Sequence, residues 1–405
     1  MDTDAQRRLD QFLAEIGSAL GNKRRRASFA LYMQGLLGDG ERKSVEPIAA
    51  RAAVDPSECD PAHQRLLHFL VDSEWSDRDV RRTAVRYAMP AILQHEPIDS
   101  WIVDDTGFLK QGSHSVGVQR QYTGSAGKTA NCQVGVSLSL ATTNHPVPID
   151  FELYLPRPWA TVRARRREGR IPKSVRFKTK VELALQMIER AVEDGWPRGV
   201  MLADADYGRS SDFRDRVRQL GLDYAVAINA PTKLWVVDAQ GRRRGDPLTA
   251  ADLARSLAKT PKAFRRVTWR EGTRRALSGR FAFAQVVAYH DDGFAPSIRP
   301  RETFVCEWPE GDTRPTKFYL ARIDRQLSNK QLVRVIKQRW QTERVYQDLK
   351  GELGLDHYEG RRFPGWHHHV SAVLACYAFV TAERARSFFP SARRAPDPNS
   401  LAVTA

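Results

Sequence analysis

Cysteine is scarce in this chain of 405 residues, and the few that occur lie far apart. They are Cys59, Cys132, Cys306 and Cys376, and this spacing fits neither a zinc site nor a disulfide framework. Long apolar runs are also lacking: none approaches the roughly 18 residues that span a membrane, and the first residues show no signal-peptide core. We therefore expect a cytoplasmic protein with no membrane contact.

Acidic residues are in deficit, which leaves a net charge of +16 and a pI near 9.9 and makes a polyanionic partner the expected one. The excess is concentrated in residues 157–180, where ten basic residues are accompanied by one acid, Glu168. We predict that this basic cluster binds phosphate. The side chains predicted to do so are Arg165, Arg166, Arg167 and Lys178. For the shorter run at residues 23–26, a solvated surface, a targeting signal and DNA contact all remain open.

A helix predicted over residues 329–353 carries charges on the side that should be buried. At about 100° per residue, its polar side consists of Arg334, Lys337, Gln341, Arg344, Asp348 and Glu352. Its apolar side consists of Leu332, Ile336, Trp340, Leu349 and Leu353. Arg339, Glu343 and Lys350 fall within the apolar side, where an isolated charge is too costly. For this helix alone, an internal Arg339–Glu343 ion pair and a bound cation both remain open.

Two apolar segments upstream end in aspartate. WIVDDTGFLK predicts a buried strand that reaches Asp104 and Asp105, and GVMLADADYG predicts a second strand that reaches Asp204 and Asp206. Strand ends of this kind are common ligand positions at the edge of an α/β sheet, although Asp also caps helices and forms turns. Together with Glu343, these carboxylates predict a site for a hard divalent cation such as Mg²⁺ or Mn²⁺.

In this order the segments resemble the transposases of bacterial insertion sequences, and among them the insertion sequence 701 type of the DDE superfamily. The motifs that carry the resemblance are WIVDDTGFLKQG, HSVGVQRQYTG, LADADYG, RWQTERVYQDLKGELGLDHYEGR and GWHHHV. The resemblance covers residues 28–379. It implies a ribonuclease-H-like core in which Asp104, Asp204 and Glu343 are the catalytic and metal-binding triad. It also implies two Mg²⁺ ions, for which Mn²⁺ would substitute.

The surroundings of the last carboxylate follow the family signature in part. Arg339, Glu343 and Lys350 have the spacing found in related transposases, whereas Ile336 stands where relatives have Tyr. Asp206 stands where relatives usually have Gly and adds negative charge beside the metals. We predict that Lys350 holds a DNA phosphate and that Arg339 orients Glu343 or contacts the same backbone. An internal salt bridge is the alternative for both.

The predicted elements give an α/β protein in five parts. These are an N-terminal helical, DNA-binding domain (1–95), the first part of the catalytic core (96–229), a β-rich insertion (230–317), the second part of the core with the Glu343 helix (318–386) and a disordered tail (387–405). A packing or dimerising role for the first part remains open. Within the insertion, strands are predicted at residues 266–270, 281–289 and 302–308.

Three further features have two possible roles each. Asp105 should point away from Asp104, since neighbours on a strand face opposite sides, and should bond to backbone or to a basic neighbour. The histidines at residues 367–369 are predicted to form a polar cluster at a helix start rather than a metal site. The insertion's tryptophans are predicted to pack in its core, with stacking on an unpaired base as the alternative. They are Trp235, Trp269 and Trp308.

The predicted function is that of a DNA transposase that binds the ends of an insertion sequence and carries out Mg²⁺-dependent strand cleavage and strand transfer. Its expected partners are double-stranded DNA, both transposon ends and target, and a second copy of the chain when two ends are paired. Its expected location is the bacterial cytoplasm, in association with the nucleoid. Two alternatives are a metal-dependent nuclease of the same fold without strand transfer and an inactive DNA-binding relic of a transposase.

Overall fold

A mixed sheet of twelve strands forms the centre of the part of the chain that the computed structural model describes, residues 3–53, 55–270, 276–289 and 299–388. The strands are β1 (Ser100–Leu109), β2 (Gln119–Thr123), β3 (Lys128–Ala141), β4 (Pro146–Tyr154), β5 (Val200–Ala203), β6 (Tyr224–Ile228), β7 (Lys233–Val236), β8 (Leu248–Thr249), β9 (Arg265–Arg270), β10 (Leu277–Ala288), β11 (Glu302–Trp308) and β12 (Lys317–Arg322).

Helices surround this sheet and make the molecule a mixed α/β structure. They are α1 (Thr3–Leu20), α2 (Lys23–Leu37), α3 (Val45–Ala52), α4 (Cys59–Val71), α5 (Asp77–Leu93), α6 (Arg157–Thr161), α7 (Arg163–Glu168), α8 (Lys180–Glu193), α9 (Ala205–Gly208), α10 (Ser211–Gln219), α11 (Ala250–Lys259), α12 (Asn329–Lys337), α13 (Trp340–Gly351) and α14 (Phe363–Phe388). Within the described ranges, none of them is both long and apolar enough to cross a membrane.

Five neighbouring strands of the sheet position the two aspartates. β3 pairs antiparallel with both β4 and β1, β1 pairs parallel with β5, and β5 pairs parallel with β6. The sequence of β5, VMLA, is buried throughout, as expected for a parallel strand covered on both faces. Helices α8 and α10 form the crossovers that parallel strands require. The middle of β1, where Asp104 lies, and the end of β5, which Asp204 follows, are therefore neighbours. The prediction that Asp104 ends its strand is wrong, because β1 continues to Leu109 through its pairing with β3.

The β-rich segment continues this same sheet. β12 pairs antiparallel with β6, and β11, β10 and β7 follow in order. β9, β10 and β11 lie close to the limits predicted for the three insertion strands. The sequence also predicts turns at EGT (271–273) and DDG (291–293), and both lie outside the described residues. Hydrogen bonds thus join β6, the strand after Asp204, directly to β12, the strand before α12.

The helices α1–α5 share a hydrophobic core with α14 and with one face of the sheet. Phe12 of α1 packs against Phe379 of α14, with ring centroids 5.4 Å apart. An ion pair of 2.6 Å between Arg8 and Glu383 joins the same two helices. α14 extends to Phe388, and the rest of the predicted disordered tail lies outside the described residues.

The single helix predicted over residues 329–353 is wrong, because the structure divides it into α12 and α13. At the junction, the N–H groups of Gln341 and Thr342 donate to carbonyl groups three residues back, a tighter turn than in an α-helix. This turn rotates the second half of the segment. Gln341 is therefore buried and Trp340 is 37% exposed, the reverse of the predicted faces.

Candidate active site

Asp104 lies near the middle of β1 with its side chain almost buried. One carboxylate oxygen, Oδ1, accepts a hydrogen bond of 2.9 Å from the backbone N–H of Asp105. The other, Oδ2, lies 2.6 Å from Nη1 of Arg339, at the junction of α12 and α13. Asp104 therefore connects the first core strand directly to the segment that carries Glu343.

Asp204 follows β5 and caps the short helix α9. Its Oδ1 accepts hydrogen bonds from the backbone N–H groups of Asp206, at 2.9 Å, and Tyr207, at 3.4 Å. The parallel register pairs Ile102 with Leu202, so Asp104 and Asp204 each stand two residues beyond a paired position. The two carboxylates predicted from separate strands thus lie side by side.

The turn after Asp204 is held tightly against the sheet. Gly208 must be glycine here, because a Cβ atom would lie 2.0 Å from the carbonyl oxygen of Ala227 on β6. The Gly208 carbonyl accepts a 2.6 Å hydrogen bond from Arg214 of α10. Arg214 is itself buried and lies 3.6 Å from Glu302 of β11. The continued sheet therefore braces the turn that positions Asp204.

Asp105 has the basic partner that its position predicted. Its Oδ2 lies 2.9 Å from Nζ of Lys180, at the start of α8, and accepts a 3.2 Å hydrogen bond from the hydroxyl of Tyr207. Tyr207 is buried within the turn that carries Asp204. Sequence reasoning missed Lys180 and Tyr207; the Tyr in LADADYG, three residues after the aspartate, was the available signal.

Glu343 does not lie on a buried surface, which corrects the prediction from helical periodicity. Its side chain is 66% exposed, and its Oε1 lies 3.7 Å from Nη2 of Arg339. The tight turn between α12 and α13 accounts for this change of face. The Arg339 guanidinium thus contacts Asp104 and Glu343 together, and it also interacts electrostatically with Asp204.

The charges of the site suit a cation. Burial raises the pKa of Asp104 to about 7, with Asp204 acting in the same direction and Arg339 opposing. Burial also raises the pKa of Asp204, and Asp206 adds to the effect. A divalent cation would relieve both penalties, and the all-oxygen donor set suits Mg²⁺ or Mn²⁺. Within the described ranges, however, no three acidic, His or Cys side chains are grouped closely enough to hold an ion.

Lys350 lies on α13 but does not pair with Glu343. Its ammonium donates to the carbonyl of Gly107 at 2.7 Å, to the hydroxyl of Thr106 at 2.9 Å and to Ser125 at 3.2 Å. Burial lowers the pKa of this lysine. Lys350 therefore fastens α13 to β1 just beyond Asp104, and the salt-bridge alternative with Glu343 is wrong.

Tyr346 is a site residue that the sequence analysis missed. It lies one helical turn after Glu343, and its hydroxyl is 2.6 Å from the hydroxyl of Ser137, the β3 residue paired with Asp104. Burial raises the pKa of Tyr346 well above its ordinary value, with the charge of Asp104 adding to this effect. The spacing of three residues from Glu343 on one helix was the signal that would have found it.

A cleft with basic and aromatic walls adjoins the site and has a volume of about 340 Å³. Trp340, next to Arg339 in sequence, forms one wall, and the Arg270 guanidinium stacks over its ring at 4.5 Å. The further walls come from α12, β9 and the β3–β4 turn. They include Trp269, Lys330, Arg334, Lys337, Thr143 and Asn144. Among the described residues that line this cleft, none is acidic.

The basic cluster at residues 157–180 is divided by its contacts. Arg166 donates to the carbonyls of Pro172 and Val175, at 2.7 and 3.0 Å, and to that of Ala160. Other members also have partners. They include Arg165 with Glu168 and the Ser113 carbonyl, Lys178 with Gln186, Arg157 with the Phe177 ring, Arg170 with Asp72, Arg176 with the Lys173 carbonyl and Lys180 with Asp105. Arg167 is exposed. Of the four predicted phosphate ligands, Arg166 is thus occupied in holding the loop together.

The histidines at residues 367–369 are all buried and point to different partners. His367 lies 3.4 Å from Glu152 of β4. His368 hydrogen-bonds to the carbonyls of Leu70 and Trp75, at 2.7 and 3.1 Å. His369 lies 2.8 Å from the Tyr32 hydroxyl. They lie near the start of α14, as predicted, and connect it to the sheet and to the N-terminal helices.

The tryptophans of the insertion pack against neighbouring side chains, which is the first of the two roles predicted for them. Trp235 and Trp308 are partly buried, and guanidinium groups of Arg243 and Arg280 stack over them at 4.3 and 4.1 Å. Trp269 packs edge-on against a buried ring of β10 and faces the basic cleft. Packing is thus the observed role of all three, and Trp269 also borders open space.

Two family models match the chain. That of the DDE superfamily endonuclease matches residues 15–276, and that of the transposase DDE domain matches residues 177–379. A similar curated protein is the probable transposase for insertion sequence element IS701 of Microchaete diplosiphon, with 30% identity over 223 residues. This match covers 55% of the chain and 54% of that protein, so the chain spans about half the length of the curated relative it matches.

Proposed function

Because the chain belongs to the DDE superfamily of endonucleases and transposases, we propose that it binds the ends of an insertion sequence and carries out Mg²⁺-dependent DNA cleavage and strand transfer. The observation that carries this proposal is the pair of carboxylates on adjacent parallel strands, Asp104 within β1 and Asp204 directly after β5. Glu343 is the third member, one helical turn beyond an arginine that already contacts Asp104.

Divalent cations bound by Asp104, Asp204 and Glu343, two Mg²⁺ with Mn²⁺ as a substitute, would lower the pKa of the attacking hydroxyl and stabilise the leaving oxygen. The chain's own residues set the geometry around them. Tyr207 and Lys180 fix the strand end through Asp105, and the α9 turn aims one Asp204 oxygen at backbone N–H groups and leaves the other for a ligand. Asp206, exposed beside Asp204, adds to the negative potential.

DNA phosphates are assigned to the basic groups around these carboxylates. We place the strand next to the cut in the cleft of Trp340 and Arg270, because this cleft is basic, aromatic and adjacent to Arg339. The exposed Arg163 and Arg167 of the basic cluster would contact phosphates further along the duplex, together with Arg165 and Lys178. Lys350 has a structural role: its three hydrogen bonds fix the position of α13 relative to β1 and Asp104.

The remaining assignments rest on the family. We propose that the core comprises residues 96–229 and 318–386 as a ribonuclease-H-like unit, that the 230–317 insertion shapes the DNA cleft, and that residues 1–95 contact DNA. Double-stranded transposon ends and target DNA are the proposed partners. Pairing of two ends implies a homodimer, acting at the bacterial nucleoid.

A strand-transfer assay tests the proposal, with the full chain, a labelled duplex from the DNA that flanks its gene, and a target plasmid. Wild type should cut the end and join it to the plasmid with Mg²⁺. Asp104→Asn, Asp204→Asn and Glu343→Gln should each abolish cleavage and retain end binding. Asn is itself a good helix cap, so the second variant keeps the α9 turn. Asp105→Asn is the matched control, one residue away on the other face, and should be milder.

The outcomes separate the candidate functions. Cleavage without joining would favour the nuclease, and end binding without any cleavage would favour the relic. Near-normal cleavage by one of the three triad variants would remove that residue from the site. If Asp105→Asn were more damaging than Asp104→Asn, the wrong face of β1 would have been assigned.

A further inference from the structure

The guanidinium of Arg339 stands where the three carboxylates would converge. Nη1 is 2.6 Å from Oδ2 of Asp104, and Nη2 is 3.7 Å from Oε1 of Glu343. Asp204 interacts with the same guanidinium electrostatically. A single internal cation thus satisfies the acidic groups that are proposed to bind metal.

The contact with Asp104 is the closer one, and it spans two elements. Arg339 is the residue that precedes α13, at the tight turn after α12, whereas Asp104 belongs to β1. Glu343 follows one turn later on α13 and extends into solvent, 66% exposed. The Arg339 guanidinium, which contacts both groups, therefore lies between the carboxylates of Asp104 and Glu343.

Arg339 is also within reach of DNA. Its side chain is 32% exposed, and the next residue, Trp340, lines the basic cleft. A guanidinium binds phosphate through two parallel hydrogen bonds, a geometry that a carboxylate and a phosphate share. A DNA phosphate that reaches the exposed part of this side chain would therefore offer Arg339 an alternative partner of the same kind as Asp104.

We propose that Arg339 is exchanged for the catalytic cations: it holds Asp104 in the free protein and moves to a DNA phosphate when an end is bound, which opens the position for metal and lets Glu343 close the site. The inference rests on the proposed function, since it assumes that Asp104, Asp204 and Glu343 bind the ions. Metal binding and end binding then strengthen each other by the same factor, as linkage requires.

A static ion pair is the competing explanation, and Lys180 provides the control for it. Lys180 pairs with Asp105 at 2.9 Å and is similarly exposed, at 28%. Its removal takes away the same charge near Asp204, which both cations share, but frees no space between Asp104 and Glu343. Lys180→Gln therefore measures the effect of charge alone, and Arg339→Gln measures charge plus the vacated position.

The experiment measures Mn²⁺ binding to the full chain by the electron paramagnetic resonance signal of free Mn²⁺, with and without a short duplex from the flanking DNA. Without DNA, Arg339→Gln should bind Mn²⁺ about tenfold more tightly than wild type, and Lys180→Gln much less so. Adding the duplex should tighten Mn²⁺ binding by wild type about tenfold and leave Arg339→Gln nearly unchanged. If Arg339→Gln fails to fold, Arg339→Lys should still bind more tightly than wild type, because the shorter side chain cannot reach both carboxylates.

Equal Mn²⁺ affinity of wild type and the Arg339 variant without DNA would overturn the exchange, and so would equal gains from the Lys180 and Arg339 variants. Failure of the proposed function has a different signature. In that case Asp104→Asn and Glu343→Gln would bind Mn²⁺ as well as wild type, whatever the Arg339 variant does.

Discussion

At the residue scale, contacts decide roles that spacing along the sequence leaves open. Lys350 and Glu343 are seven residues apart on one helix, a separation that predicts a common face. In the structure Lys350 turns to β1, whereas Glu343 extends into solvent. The sequence offered the Arg339–Glu343 pair but not the partners of Lys350, because Thr106 and Gly107 come from a strand more than 200 residues earlier in the chain.

Lys350→Met should lower the free energy of unfolding by about 1–3 kcal/mol, since it leaves the Gly107 carbonyl and the Thr106 hydroxyl without their donor. Chemical denaturation without DNA measures this loss. Glu343→Gln should have little effect on stability, and the double variant should show the sum of the two single losses. A coupling energy between the two positions well above 0.5 kcal/mol, the usual limit of additivity, would mean that Lys350 does pair with Glu343.

At the element scale, apolar pattern and turn chemistry predicted most strands and helices. β5 was predicted because VMLA is a short apolar run ending in Asp, and β9–β11 because their residues alternate between turns. The break between α12 and α13 was not predictable in this way. No Pro or Gly marks this break. Contacts with β1 hold both sides of it, since Arg339 in the tight turn contacts Asp104 and Lys350 of α13 contacts Thr106. Tertiary contacts, rather than local preference, account for it.

The basic cluster should separate into structural and DNA-binding members. Arg163→Ala with Arg167→Ala should reduce the slope of log K against log salt by up to about two units, because each lost phosphate contact removes about 0.9. Filter binding over a salt series measures the slope. Arg166→Ala is the matched control: it should lower the melting temperature, since three backbone carbonyls lose their donor, while changing the slope less. An unchanged slope in the double variant would make the cluster a solvated surface.

The brace behind Asp204 should depend more on Arg214 than on Glu302. Burial raises the pKa of Glu302 despite the nearby guanidinium, which means that the charged form of this carboxyl gains little from the ion pair. Glu302→Gln should therefore lower the free energy of unfolding by only about 1 kcal/mol. Arg214→Met also removes the donor to the Gly208 carbonyl and should cost about 3–5 kcal/mol. Urea unfolding of both variants compares them. Equal losses would mean that the ion pair, and not the Gly208 contact, carries the brace.

At the scale of the whole molecule, buried histidines of α14 join the N-terminal helices to the sheet. Burial lowers the pKa of His369 to about 4. In the folded chain this imidazole therefore stays neutral at pH values well below the ordinary pKa of histidine. Above about pH 6.5 it is neutral in both folded and unfolded chains and adds no pH dependence. As the pH falls toward 4, only the unfolded chain takes up the proton, and folding stability declines by about 3 kcal/mol.

Urea unfolding at about pH 7 and about pH 4.5 tests this decline. His369→Gln should lose much less stability between the two pH values than wild type. His68→Gln, an exposed histidine of α4, is the control and should behave as wild type. The same decline in His369→Gln as in wild type would assign the acid sensitivity to other groups.

Helix α14 is synthesised after the N-terminal helices that pack against it, and this order has a consequence for folding during translation. This helix is made late, yet it supplies the surface on which α1–α5 pack. Until it emerges, the apolar sides of those first helices have no permanent cover and depend on transient shielding. Glu343 also follows both aspartates by more than a hundred residues. A chain synthesised only as far as β6 thus holds the two aspartates without Glu343, so the three proposed metal ligands come together only after α13 has been made.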